Sequence, residues 1–91
     1  MTRETRWTVV VARPAARDLD ALPEKVLHAV TELFSALAEN PARLGKPLGF
    51  ELAGLLSARR GPYRVIYELD EERRVVTVIA VGHRSDVYRR R

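Results

Sequence analysis

With 91 residues, 46% of them hydrophobic and 31% charged, the chain has an ordinary globular composition and room for one core, so residues 1–91 are read as a single domain. The absence of cysteine rules out a disulfide framework and thiolate metal sites, and His28 and His83 stand too far apart in sequence to suggest a zinc site. The net charge is +4, and between Arg59 and Arg91 nine arginines face five carboxylates, an excess that suits a polyanionic partner such as nucleic acid.

The first seven residues are charged and lack the apolar stretch of a signal peptide, so the cytoplasm is the expected compartment. Trp7 to Ala12 is rich in β-branched residues and predicts a strand, ended by Arg13-Pro14. Proline is well placed to open a helix, and Ala15 to Leu19 continue as a brief one. Chain direction changes at Leu22-Pro23. From there Val26, Val30, Leu33 and Leu37 recur at helical spacing, with Leu27 and Phe34 widening the stripe. Asn40-Pro41 ends this second helix, because the residue before a proline avoids helical angles.

Residues 41–53 read as a connector carrying Lys46 and Pro47. Beyond it the period drops to two. Leu55 to Arg60, Tyr63 to Leu69 and Arg74 to Val81 predict three strands, separated by Gly61-Pro62 and by the acidic turn Asp70-Glu71-Glu72. Val75 to Val81 is apolar on both faces, as in an interior strand, and is far too short to cross a membrane. The expected fold is α+β, with an N-terminal strand and a helical hairpin packed on one face of a mainly antiparallel four-stranded sheet. In Tyr63 to Leu69, alternation sends Tyr63, Val65 and Tyr67 to one face and Arg64 and Ile66 to the other. If the helices cover the tyrosine face, Arg64 looks onto an open, arginine-lined surface.

No phosphate-binding glycine loop and no serine elbow is present, and the acidic turn reads as a solvated hairpin tip. The remaining chemistry is a basic cluster of Arg59, Arg60, Arg64, His83, Arg84, Tyr88 and the terminal arginines. Arg64 is the informative member, since a solubilising cation is unusual in mid-strand. Arg84 and Tyr88 follow the last strand directly, where a rigid sheet can hold them.

Ser57-Ala58-Arg59-Arg60-Gly61-Pro62-Tyr63-Arg64-Val65-Ile66-Tyr67, followed by Val81-Gly82-His83-Arg84-Ser85-Asp86-Val87-Tyr88-Arg89, resembles the C-terminal half of RelE-type toxins. The helical hairpin and Lys46-Pro47-Leu48 are also similar to that family, so the resemblance spans nearly the whole chain. The strand around Tyr63-Arg64 is shared with the wider RelE/ParE superfamily, and the ending His83-Arg84-Ser85-Asp86-Val87-Tyr88 points to the ribonuclease branch.

The resemblance implies a ribosome-dependent endonuclease that cuts messenger RNA without a metal or other cofactor, through attack of the 2′-hydroxyl on the adjacent phosphate. It implies as partners a RelB-like antitoxin, in a hetero-oligomer, together with the ribosome and its messenger. By the same resemblance Arg64 neutralises the phosphorane, Arg84 serves the phosphate or leaving oxygen, and Tyr88 stacks or transfers a proton. Arg59, Arg60, Lys46 and Arg89 are the expected RNA contacts. Some members carry lysines where this chain reads Leu55-Leu56-Ser57, which leaves the general base unassigned. Arginine is a poor base, so His83 and Tyr88 are the local candidates. His83 could equally close its strand through hydrogen bonds. The alternatives in function are a ParE-like gyrase inhibitor and a nucleic-acid-binding module without catalysis.

Overall fold

The computed structural model describes residues 6–49 and 54–88. Four consecutive β-formers, Thr8–Val11, make the first strand, β1, and Arg13-Pro14 turn the chain into helix α1, Arg13–Asp20, with proline in its first turn. Helix α2, Glu24–Glu39, carries the apolar stripe, with Val30, Leu33 and Leu37 buried and Val26 and Phe34 packed at the edge of the core. Its cap, Asn40, leaves helical angles at φ −153°, as the following proline requires.

Pro41–Leu44 then form a single helical turn, α3, and Lys46–Pro47 form a two-residue strand, β2. The meander follows as β3, Leu56–Arg60, β4, Tyr63–Asp70, and β5, Val75–His83. At the β3–β4 turn Gly61 takes a positive φ of 58°, the conformation that a tight hairpin favours at that position. The sheet order is β1-β5-β4-β3-β2, with β1 parallel to β5 and every other pair antiparallel. The expected four strands are therefore five. The connector contributes the extra one, and a proline on an edge strand is tolerated because its missing N–H breaks no interior ladder.

The helices cover the face that alternation assigned to them. Val65, Tyr67, Val76, Val78 and Val81 meet Ala15, Val30, Leu33 and Leu37 in the main core. Tyr67 is fully buried there, and its hydroxyl donates to the Pro41 carbonyl at 2.6 Å, tying α3 to the middle of the sheet. Gly45, just after α3, is set by this contact rather than by its backbone angles. A Cβ at that position would overlap the Tyr67 hydroxyl. α1 is fixed differently. Its Asp18 carboxylate accepts the Val81 N–H at 2.9 Å, beyond Val78, where pairing between β5 and β1 has ended.

The opposite face is not simply open, which corrects the expectation from alternation alone. Ile66 and Ala80 point to that side and need cover, and the segment after β5 folds back to supply it. Val87 is fully buried against them, with Leu48, Leu55, Ile79 and Tyr88 around the edge. Two backbone bonds to the His83 carbonyl, from Asp86 and Val87, close this final turn. Beside β2 and β3 this face forms an accessible cleft.

Candidate functional site

Strand register assembles the cleft. Arg59 lies directly across from Arg64, and Ser57 lies between Lys46 on one neighbouring strand and Ile66 on the other. Side chains two apart share a face, so Ser57 and Arg59 stand on the same side as Arg64. Tyr88 arrives from the closing turn. Together with Leu44, Pro47 and Leu48, these residues line a depression of about 500 Å³.

Among the described residues the lining holds three cations, Lys46, Arg59 and Arg64, and no carboxylate. Among the described residues none of the three is in a salt bridge. Like charges directly opposite on a sheet repel one another. Arg59 and Arg64 are thus held face to face with no salt-bridge partner among the described residues, an arrangement that an anion between them would relieve. The Arg64 guanidinium is aimed rather than loose: one nitrogen donates to the carbonyls of Gly61 and Tyr63, each at 3.1 Å. Those bonds leave its remaining N–H groups for a ligand.

Tyr88 is half-buried, its ring packed beside Ile66, Ala80 and Val87, and its hydroxyl lies 2.8 Å from Ser57 Oγ. Below the sheet, burial pushes the Tyr67 phenol from 10.0 up to about 12, with the Gly45 N–H pulling weakly the other way. That tyrosine is structural, a neutral strut beneath the cleft.

Of the expected site residues, Lys46, Arg59, Arg64 and Tyr88 come together in the cleft, whereas Arg60, His83 and Arg84 do not line it. Arg60 points to the helical side and meets Glu32 at 3.0 Å. His83 pairs with Tyr63 at the end of the β4–β5 ladder, its ring edge-on to the Tyr63 ring at 5.6 Å. Its Nδ1 accepts the Ser85 N–H at 3.2 Å and lies 2.9 Å from Ser85 Oγ, so local bonds occupy that nitrogen. Arg84 begins the closing turn with its backbone N–H bonded to the Pro62 carbonyl at 2.8 Å and its side chain exposed. Arg89 lies outside the described residues. Ser57 and Leu48 belong to the lining without having been singled out as site residues from sequence. The signals available for the serine were its period-two relation to Arg59 and its place in the stretch Leu55-Leu56-Ser57, where some family members carry lysines. Among the described residues no group of three His, Asp or Glu side chains is gathered as a cation site, and no helix is long and apolar enough to cross a membrane.

Comparison with known proteins identifies the family and the fold. Residues 9–88 match the family model described as the ParE toxin of type II toxin–antitoxin system, parDE. Toxin RelG of Mycobacterium tuberculosis is 49% identical over 85 residues, spanning 92% of this chain and 98% of its own length. Toxin RelE of the same organism is 47% identical over 90 residues, spanning 98% of this chain and 93% of its own. In the crystal structure of the toxin–antitoxin complex RelBE2 from M. tuberculosis, a chain 45% identical superposes with a TM-score of 0.85, covering 94% of this chain and 100% of that one. The isolated E. coli RelE toxin, 21% identical, shares the fold with a TM-score of 0.73 over 85% of this chain and 83% of its own.

Proposed function

This chain belongs to the RelE/ParE superfamily of toxins of type II toxin–antitoxin systems, as a RelE-type member, and we propose that it is a ribosome-dependent endoribonuclease that cuts messenger RNA. The observation that carries the proposal is the gathering of three cations without salt bridges and one tyrosine hydroxyl in a single cleft.

In the proposed reaction the 2′-oxygen forms a bond to the adjacent phosphorus as the bond from phosphorus to the 5′-oxygen breaks. The products are a cyclic 2′,3′-phosphate and a free 5′-hydroxyl. Negative charge on the phosphoryl oxygens rises in the transition state, and Arg64 and Arg59 stand across from each other to receive it. Their fixed strand positions place the phosphate without further reorganisation. The 2′-hydroxyl must lose a proton and the departing 5′-oxygen must gain one. Arginine serves neither step well, so this traffic falls to the Lys46 amine and the Tyr88 hydroxyl in the lining. Arg84 and Arg89 serve neighbouring phosphates of the messenger.

The partner we propose is a RelB-like antitoxin in a hetero-oligomer, as in the related RelBE2 complex. A net charge of +4 and a cationic cleft favour an acidic antitoxin segment against that face, with the salt sensitivity of any such contact.

The test is to add the protein to translating ribosomes and map the messenger ends. Cuts inside the reading frame, bearing a cyclic phosphate and a 5′-hydroxyl and requiring the ribosome, are expected. Intact messenger together with inhibited gyrase supercoiling would instead establish the ParE-like alternative.

A further inference from the structure

The contact between Ser57 and Tyr88 is the least expected feature of the cleft. Ser57 sits in β3 between two paired strands, so its backbone is committed to the sheet and its hydroxyl alone can serve the site. Packing on Ile66, Ala80 and Val87 sets the position of the Tyr88 ring. Packing does not set the rotation of the phenol proton about its C–O bond. At 2.8 Å, Ser57 Oγ is the neighbour that can do so, and among the described residues the two hydroxyls have only each other as hydrogen-bond partners.

Either hydroxyl can donate, and the two choices differ in consequence. When Tyr88 donates to Ser57, the phenol proton is committed to the serine oxygen. When Ser57 donates to Tyr88, the phenol oxygen accepts and its own proton is free for a ligand in the cleft that both residues line. A hydroxyl carries one donor and two acceptor sites, so the second arrangement is complete only if an acceptor binds in front. An anion held by Arg59 and Arg64 is such an acceptor.

We propose that Ser57 is a positioning residue for the cleavage reaction, donating its hydroxyl to Tyr88 and thereby turning the Tyr88 proton toward the bound phosphate. This rests on the endoribonuclease reading above. Ser57 touches no reacting atom, and its effect passes through Tyr88. A threonine preserves the hydroxyl, whereas alanine removes it with little change to the strand.

Single-turnover cleavage of ribosome-bound messenger is measured for Ser57→Ala, Ser57→Thr, Tyr88→Phe and the Ser57→Ala/Tyr88→Phe double variant. Loss of one such oriented hydrogen bond is expected to slow Ser57→Ala by about tenfold, with the half-saturating ribosome concentration unchanged. Ser57→Thr recovers the parental rate, and Ser57→Ala adds nothing once Tyr88 is phenylalanine. A second readout needs no activity. The chain has three tyrosines, so the Tyr88 ¹³Cζ resonance is identified by its loss in Tyr88→Phe. It should move in Ser57→Ala and return in Ser57→Thr. The proposal is overturned if Ser57→Ala cleaves at the parental rate, if it slows the Tyr88→Phe protein as much as the parent, or if the resonance stays in place. If the parent leaves messenger intact, the endoribonuclease reading fails, and the resonance still decides whether Ser57 holds Tyr88.

Discussion

Replacing Tyr67 with phenylalanine separates the strut beneath the cleft from the cleft itself. The phenol is fully buried and donates to the Pro41 carbonyl at 2.6 Å, so Tyr67→Phe leaves that carbonyl without its donor in the core. An unsatisfied buried acceptor costs about 1–3 kcal/mol, which for a domain of this size lowers the melting temperature by roughly 10 °C. The parental phenol also makes stability depend on alkaline pH. Its folded value of about 12 lies above the unfolded 10.0, so between those values the folded chain holds the proton more tightly than the unfolded one. The stabilisation is therefore complete below pH 10 and disappears as pH rises toward 12. At pH 11 the loss comes to about 1.4 kcal/mol, and over the full interval to about 2–3 kcal/mol. Urea unfolding of both proteins at pH 8, 9, 10 and 11 isolates this contribution, because other titrating groups are common to both. The parent should lead by its full margin at pH 8 and by about 1.4 kcal/mol less at pH 11. A margin that stays constant across this range, or equal stability at pH 8, refutes the reasoning.

The close approach at Gly45 makes a related prediction: Gly45→Ala should destabilise the parent by about 1–3 kcal/mol in urea, and by less in the Tyr67→Phe background, where the hydroxyl it would strike is gone. Arg64→Ala should reduce single-turnover cleavage by about a hundredfold to a thousandfold while circular dichroism stays parental, since one preorganised donor to the phosphate is lost. A parental rate in a folded Arg64→Ala protein would remove this cleft from the mechanism. Arg60 pairs with Glu32 at an exposed position, so Arg60→Ala should change stability by less than about 1 kcal/mol and leave cleavage near the parental rate. A large loss of cleavage would mean that Arg60 leaves Glu32 to meet RNA.

Much of the fold was legible because its signals are local. The 3.6-residue stripe from Val26 to Leu37 and the alternation of Tyr63, Val65 and Tyr67 each name a buried face within one element, and together they place the helices. What stayed illegible depends on distant partners. The strand at Lys46–Pro47 is too short for any period and exists because Ser57 and Leu56 pair with it. The cover supplied by Val87 answers an apolar patch, Ile66 and Ala80, that forms only once β4 and β5 are paired. Arg64 could be singled out from sequence because it interrupts the run Tyr63, Val65, Ile66 and Tyr67, although the structure makes it the second residue of β4 rather than a mid-strand one. Ser57 was not, because period two gives it a face but no role until a tyrosine 31 residues later reaches it.

The side of the sheet on which His83 stands shows how a single local irregularity redistributes a site. In β5, Val76 and Val78 face the helices, and a regular pleat from there would send Ala80 and Gly82 the same way. His83 would then share the face of Arg64. The ladder instead slips between Ile66 and Tyr67: Tyr67 pairs with Val78 and Ile66 with Ala80, leaving Ile79 unopposed. That bulge turns Ala80 toward the cleft side and Val81 toward the helices, and two residues later it carries His83 to the helical side with Tyr63. The consequence for chemistry follows directly. His83, next to Arg84 in sequence, stands on the side of the sheet away from the cleft, and in the proposed reaction proton transfer falls to Lys46 and the Tyr88 hydroxyl. His83→Gln should accordingly cleave ribosome-bound messenger within about twofold of the parent and leave its pH–rate profile unshifted, because the ring lies outside the cleft and glutamine keeps hydrogen bonding at the strand end. A loss comparable to that of Arg64→Ala in a folded protein would show that the ring swings across the bulge to reach the phosphate.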